Sequence, residues 1–288
     1  MKTFYTILSI LILLSGGQAK AEEGENHKIV QFIKAQHTYY TFREQTDLPV
    51  IPTHQEIEKA LRGEIVVKKG ESPGTGLFYV WTAKIMNVDI TKVWLTLMDR
   101  EHYDLILENI TESFISKRFE NHFYTYNVLE APLISIRHQV LDAAANPLLY
   151  EKSNGTVWEQ FWHLTPDIKS TINDAVSQNK FDNIKPEYLD DAVVVHHHDG
   201  AWLLFSLPDG RTWTESYSIN DPGGNIPDWI LRRALATATE KTIAAYETWA
   251  EDSVIAHINN EHAAMLSPDG KWMSPTAILR FFSKTSGL

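Results

Sequence analysis

Three groups of residues have the types and spacing for chemistry. In the segment 211–219, Trp213, Glu215, Tyr217 and Ile219 alternate with Thr212, Thr214, Ser216 and Ser218. Side chains on a strand alternate with period two, so the first set shares one face. That aromatic face is expected to point inward and to take Glu215 with it. A buried carboxylate needs a partner or a proton. Arg137, on a strand whose Leu133 and Leu141 share its face, is the expected partner. Such a pair can offer a polar point to a ligand's hydroxyl or carbonyl, or it can be a structural ion pair. The second group is His196-His197-His198, with His163 or His138 as a conceivable third ligand. Zinc needs three or four convergent ligands at about 2.0–2.1 Å. Two imidazoles from one strand face fall short of that, and a histidine run before a turn is the plainer reading. The third group is on the last long helix: Ala234, Ala238 and Ala245, near Leu231 and Leu235, leave volume beside a sheet or simply allow close packing, and Thr242 falls on the same face as Leu231, Leu235 and Ala238.

What is missing narrows the chemistry further. The chain has no cysteine, which removes thiolate nucleophiles, Fe–S clusters and Cys-ligated zinc. No nucleophile elbow, P-loop, dinucleotide fingerprint or EF-hand occurs. No catalytic residue, metal or cofactor is assigned.

The 288 residues are 43% hydrophobic and 22% charged, with a net charge of −11. That is the composition of a folded globular chain. So acidic a chain is a poor binder of phosphate backbones, so no nucleic-acid partner is expected. Residues 1–21 read as a cleaved signal peptide: Lys2, an apolar run from Phe4 to Leu14, then Ala19-Lys20-Ala21 as the cleavage motif. The apolar run is too short for a membrane span, which needs about 20 residues. A periplasmic or secreted product is expected.

These residues need elements to hold them. Thr53-His54-Gln55-Glu56 is a capping box opening a short helix. Strands are expected over 64–69 and 77–88, then a helix over 90–107 capped by Asp89. Period two returns over 113–119, 123–129, 133–141 and 156–164. A polar, helical excursion fills 166–190. Strands over 192–198, 201–207 and 211–219 follow, with hairpin turns at Asp199-Gly200 and Asp209-Gly210. Asp221-Pro222-Gly223-Gly224 ends them, and Asn225 is expected to cap the long helix. The expected division is an N-terminal extension over 22–52, one domain over 53–252, and a C-terminal extension over 253–288. A sheet with an apolar face must be covered, and the long helix is the expected cover.

Asp221-Pro222-Gly223-Gly224-Asn225-Ile226-Pro227-Asp228-Trp229, between the last strand and the long helix, resembles the closing signature of START-type lipid-binding domains. Ala131-Pro132-Leu133-Ile134-Ser135-Ile136-Arg137-His138 resembles their strand with a basic residue after an apolar-Pro entry. Asp89 to Trp94 and Asp99 to Tyr103 resemble their helix after the second strand. His138 departs from the family pattern, which has aspartate there. The resemblance covers Gly63 to about Ala250. It implies an α+β helix-grip fold, START-like, in which a curved antiparallel sheet wraps the C-terminal helix around an internal hydrophobic cavity. It also implies a lipid or other hydrophobic small molecule as partner, with Asp221–Asn225 as one lip of the entrance and Gly70–Gly76 as a loop that admits cargo. Arg137, Trp213, Glu215, Tyr217, Leu231, Leu235, Ala238 and Thr242 are the expected ligand-binding residues, and transient membrane contact during loading is conceivable. A cyclase/dehydrase-like enzyme, with Glu215, His138 or His163 as general base, is the alternative. A third reading makes the C-terminal extension a docking tail.

Overall fold

Nine of the eleven strands among the described residues join in one sheet. The structure, a computed structural model, describes residues 24–44, 50–131, 134–252, 255 and 265–285. The strands of the sheet are β1 (Val66–Glu71), β2 (Phe78–Met86), β3 (Ile110–Arg118), β4 (His122–Ala131), β5 (Ile134–Ala145), β6 (Val157–Leu164), β7 (Val193–Val194), β8 (His197–Ser206) and β9 (Thr212–Asp221). They lie in the order β1-β2-β9-β8-β6-β5-β4-β3, and β7 pairs with β5 off this path. Every pairing is antiparallel except the short one of β7 with β5 at Arg137 and His138. The helices are α1 (24–36), α2 (His54–Leu61), α3 (Ile90–Met98), α4 (Tyr103–Ile106), α5 (Pro147–Lys152), α6 (Ile168–Ser177), α7 (Asp228–Asp252) and α8 (Pro275–Thr285), with a 3-10 turn at His37–Phe42. A small hairpin of β10 (Met265–Leu266) and β11 (Trp272–Met273) precedes α8.

Local signals place many of these boundaries. The capping box at Thr53 is formed: its hydroxyl accepts the Glu56 N–H at 3.3 Å, and the Glu56 carboxylate accepts the Thr53 N–H at 2.7 Å. Asp89 caps α3 by accepting the Thr91 N–H at 2.8 Å. The helix expected over 90–107 breaks at Asp99. Its side chain turns inward to His102 Nδ1 at 2.8 Å and Trp249 Nε1 at 3.3 Å, and the chain resumes in α4. The long helix starts at Asp228, so Asn225 lies in the loop and does not cap it.

Register separates two faces of the sheet. Ala145, Gln160, Trp202, Ser216 and Thr82 form one row across β5, β6, β8, β9 and β2. This inner face packs against α3, α4, α7 and α8, where Phe123, Leu141, Trp158, Trp162 and Trp202 meet Trp94, Tyr246 and Ile278. Glu159, Leu203, Glu215, Ala83 and Val66 form the neighbouring row on the other side. This outer face is covered by α1, the 3-10 turn and α2. Farther along it, α6 and the turn after it cover Phe114, Tyr126 and Val140. The aromatic side of β9 therefore looks outward, away from α7, contrary to the expectation. Both faces carry large apolar side chains, so period two alone does not tell which one meets the long helix.

The Asp199-Gly200 hairpin does not form either. β8 runs unbroken through both residues. Gly200 is there because the Trp162 ring lies over it: a Cβ would sit 2.2 Å from Trp162 Cζ2 and 2.5 Å from the Tyr217 carbonyl. Asp209-Gly210 does make its turn, with Gly210 at φ +85°. In the C-terminal extension, Ile278 is fully buried and Phe281 packs on Trp158 at 5.7 Å. Trp94 Nε1 donates to the Leu266 carbonyl at 2.8 Å. Ile278 and Phe281 of this tail are thus packed within their own chain, while Leu279 is exposed.

Gly200→Ala is expected to lower the unfolding free energy by about 1–3 kcal/mol or more, the usual cost of overpacking. Urea titration measures this, and an unchanged midpoint would contradict the close approach of Trp162.

Candidate functional site

The inner face is richer in polar groups than a sheet–helix core requires. Ser113, Thr125, Asn127, Gln139, Gln160, Thr82, Thr214 and Ser216 are all buried there. Ser113 Oγ lies 2.8 Å from Asn127 Oδ1 and 2.6 Å from the Arg100 carbonyl, two acceptors for its single proton. Thr82 Oγ1, Thr214 Oγ1, Gln160 Oε1 and Trp162 Nε1 are buried with no hydrogen-bond partner among the described residues. Buried polar atoms are normally paired, and each orphan costs about 1–3 kcal/mol.

Arg100 brings a buried charge to this face, beside the edge strand β3. It follows α3 at the break made by Asp99, so the turn aims its side chain under the sheet. It is 5% exposed. Its guanidinium lies 4.6 Å from the Tyr103 ring centroid and 6.0 Å from that of Phe123. Tyr246 of α7 packs on Tyr103 at 5.6 Å and on Trp202 at 5.2 Å, closing an aromatic enclosure. Among the described residues, Arg100 Nε and Nη2 have no hydrogen-bond acceptor. A guanidinium cannot shed its proton, so this charge stays in the interior and calls for an acceptor.

His198 supplies the opposite polarity. Burial pushes its imidazole down to about 4, so it is neutral at ordinary pH. Nδ1 lies 2.8 Å from Gln139 Oε1 and donates to it. Nε2 is then left as an acceptor. The inner face thus offers a cationic donor and a neutral acceptor between aromatic walls.

The expected site residues divide between the two faces. Trp213, Glu215 and Tyr217 are outer-face residues. Arg137 is on the inner face, so it cannot meet Glu215 through the sheet, and the expected pair does not form. Glu215 is instead held by donors from the N-terminal extension and its neighbours: Tyr40 OH, Trp213 Nε1 at 2.9 Å and Trp81 Nε1 at 3.1 Å. Arg43 stands between two buried acids, 3.4 Å from Glu159 and 3.8 Å from Glu215. Glu159 also accepts the Glu44 N–H at 2.9 Å and Asn146 Nδ2 at 2.7 Å. Arg137 donates to the carbonyls of Ser135, Pro222 and Gly223. Ala238 and Thr242 are half-buried on α7, and the side chains of Leu231 and Leu235 lie outside the described residues.

The histidine run splits. His196 is exposed beside Asp221, His197 faces Asp199 on the outer side, and His198 points inward. Among the described residues no group of three His, Asp or Glu side chains converges as metal ligands. The three bases named for an enzymatic reading, Glu215, His138 and His163, all project from the outer face. His138 meets Tyr126 at 3.2 Å, and His163 meets Asp199 at 3.5 Å. Sequence reasoning missed Arg100 and His198 as inner-face groups. For Arg100 the signal was available: a charged pair, Asp99-Arg100, interrupts an apolar helical run.

No protein-family model matches the sequence, and no curated protein matches it. Solved structures do match in fold. A STAR-related lipid transfer protein fragment from Xanthomonas axonopodis aligns with TM-score 0.52 and 16% identity, over 65% of this chain and 94% of that one. Human StAR-related lipid transfer protein 5 aligns with TM-score 0.50 and 11% identity, over 80% of this chain and 98% of that one. The fold is START-like: an α+β helix-grip, in which one antiparallel sheet carries the long C-terminal helix on its inner face.

The outer-face cluster yields a test with a defined sign. Burial pushes the Glu159 and Glu215 carboxyls up, and Arg43 opposes this for both. A carboxyl raised in the folded chain supports the fold at low pH and loses that support as pH rises through its folded value. Arg43→Met is expected to cost about 3–5 kcal/mol near neutral pH, because it strands buried charge. The deficit should shrink as pH falls through the raised folded values, because protonation removes that charge. Urea unfolding across a falling pH series checks this; equal deficits throughout would rule out two acids sharing one cation.

Proposed function

We propose that this protein is an exported carrier that holds an amphipathic lipid-like molecule between the inner face of its sheet and α7. The observation that carries the reading is Arg100, buried beside Tyr103 and Phe123, with Nε and Nη2 finding no partner among the described residues. A ligand with an acidic or carbonyl-rich head supplies the missing acceptors, and its apolar body packs on the surrounding rings. Removing that body from water contributes roughly 25 cal/mol per Å². His198 and the unpaired inner-face hydroxyls suit a head that also donates hydrogen bonds.

Export is supported by the signal-peptide pattern of residues 1–21. No described helix is long and apolar enough to cross a membrane. Trp229, in the first turn of α7, is 68% exposed. An aromatic ring in that position is suited to touch a bilayer while cargo is exchanged, since Trp favours the membrane–water interface.

Mass spectrometry of an organic extract of the protein, purified without denaturation, is expected to find one class of amphiphile in near-stoichiometric amount. Arg100→Met should weaken its binding about tenfold or more, roughly 1.4 kcal/mol, without lowering stability to urea. An extract with no organic molecule, together with no retention of added fatty-acid or sterol probes, would overturn the reading.

A further inference from the structure

Arg137 has no carboxylate partner among the described residues. It is 6% exposed, and its guanidinium is spent on backbone. Nε donates to the Pro222 carbonyl at 3.0 Å, Nη2 to the Gly223 carbonyl at 3.2 Å, and Nη1 to the Ser135 carbonyl at 2.5 Å. Pro222 and Gly223 belong to the loop that leads from β9 into α7. The loop is shaped to reach this clasp. Gly223 and Gly224 have φ of +72° and +75°, which favour glycine. A Cβ on Gly223 would meet the Val194 carbonyl at 2.8 Å, and one on Gly224 would meet Arg137 Nη2 at 3.4 Å. Val194 belongs to β7, which pairs with β5 beside Arg137.

The other attachments of the loop and helix differ in kind. On the far side of the loop is a pocket of about 270 Å³, lined by Gly76, Leu77, Asn220, Gly224, Ile226 and Arg232 among others. Across it, Arg232 pairs with Glu71 at 2.7 Å, but both side chains are well exposed. Exposed pairs hold weakly. The distal end of α7 is fixed more firmly: Glu247 binds Lys84 and the Asn87 N–H, and Tyr246 is wedged between Trp202 and Tyr103. The helix is thus anchored at one end and held at the other by a buried fork of hydrogen bonds.

The chemistry of that fork favours repeated opening. Breaking a buried ion pair strands two charges. When a guanidinium leaves carbonyls, it takes its charge to water and leaves neutral acceptors that water can satisfy.

We propose that Arg137 is the latch of the mouth: its carbonyl clasp holds the β9–α7 loop down, and its release is the step that admits and discharges ligand. This rests on the carrier reading above and makes Arg137 a positioning residue. Lysine cannot span both carbonyls, because its donors radiate from one point.

The test uses full-length protein with Arg137→Lys and Arg137→Met. Hydrogen exchange of amides 220–240 should quicken about tenfold or more in both variants, with protection of β2, β8 and β9 unchanged. Uptake and release of a fluorescent NBD-labelled stearate should both quicken by a similar factor, leaving the Kd within about threefold. Unchanged exchange at 220–240 would overturn the latch. So would uniform loss of protection across the sheet, which marks a purely structural role. Faster release without faster uptake would show Arg137 contacting ligand, and also overturns it. If the unaltered protein retains no probe, the carrier reading fails, while amide exchange still decides whether Arg137 holds the loop.

Discussion

A sheet with large side chains on both faces must be covered on both faces, and most of this structure follows from that. Trp158, Trp162 and Trp202 stand on one side, and Trp81, Trp213 and Phe205 on the other. Leaving either set in water forfeits burial worth about 25 cal/mol per Å². The chain answers with two separate covers. Helices α3, α4, α7 and α8 take the inner side, and the segment from α1 through α2, with α6 farther along, takes the outer side. The two covers differ in chemistry. On the outer one, Arg43, Tyr40 and Asn146 answer Glu159 and Glu215, with Arg43 Nη1 left without a hydrogen-bond partner among the described residues. On the inner one, the cation Arg100 lies against aromatic rings with no acid beside it among the described residues, and that difference in charge pairing separates scaffold from candidate site.

The two sides also differ in how their buried charges are answered. Buried charge is tolerated on the outer face because every carboxylate oxygen finds donors. Arg100 on the inner face has no acceptor at two of its nitrogens among the described residues. The outer acids thus have their cation within the described residues, whereas the inner cation has no acid there. His198 fits this division, since burial keeps it neutral and able to accept.

Much of the fold was legible because its signals are local. The capping box at Thr53, the cap at Asp89, the Asp209-Gly210 turn and the strand–loop–helix passage at 211–252 all depend on residues within a few positions of each other. The orientation of β9 was not legible. Alternation says that Trp213, Glu215 and Tyr217 share a side, and nothing within the strand says which way that side looks. The partner of Glu215 was hidden for a related reason: Arg43 is brought to it by the docking of the N-terminal segment, a contact between distant parts of the chain. Gly200 shows a local rule losing to a tertiary one. Asp-Gly favours a tight turn, but here the glycine is required by the indole of Trp162 lying against a continuous strand.

The strand order has a consequence for the birth of the molecule. β2 pairs with β9, placing Tyr79 opposite Ile219, so the central ladder joins an early strand to one made much later. The entropy of closing so long a loop must be met before the pairing returns any stability. During synthesis β1 and β2 therefore wait as an unpartnered hairpin, with Trp81 and Val80 open to wrong associations. A nascent chain of this topology completes its sheet only after β9 has emerged, which leaves a long interval in which a chaperone has something to hold.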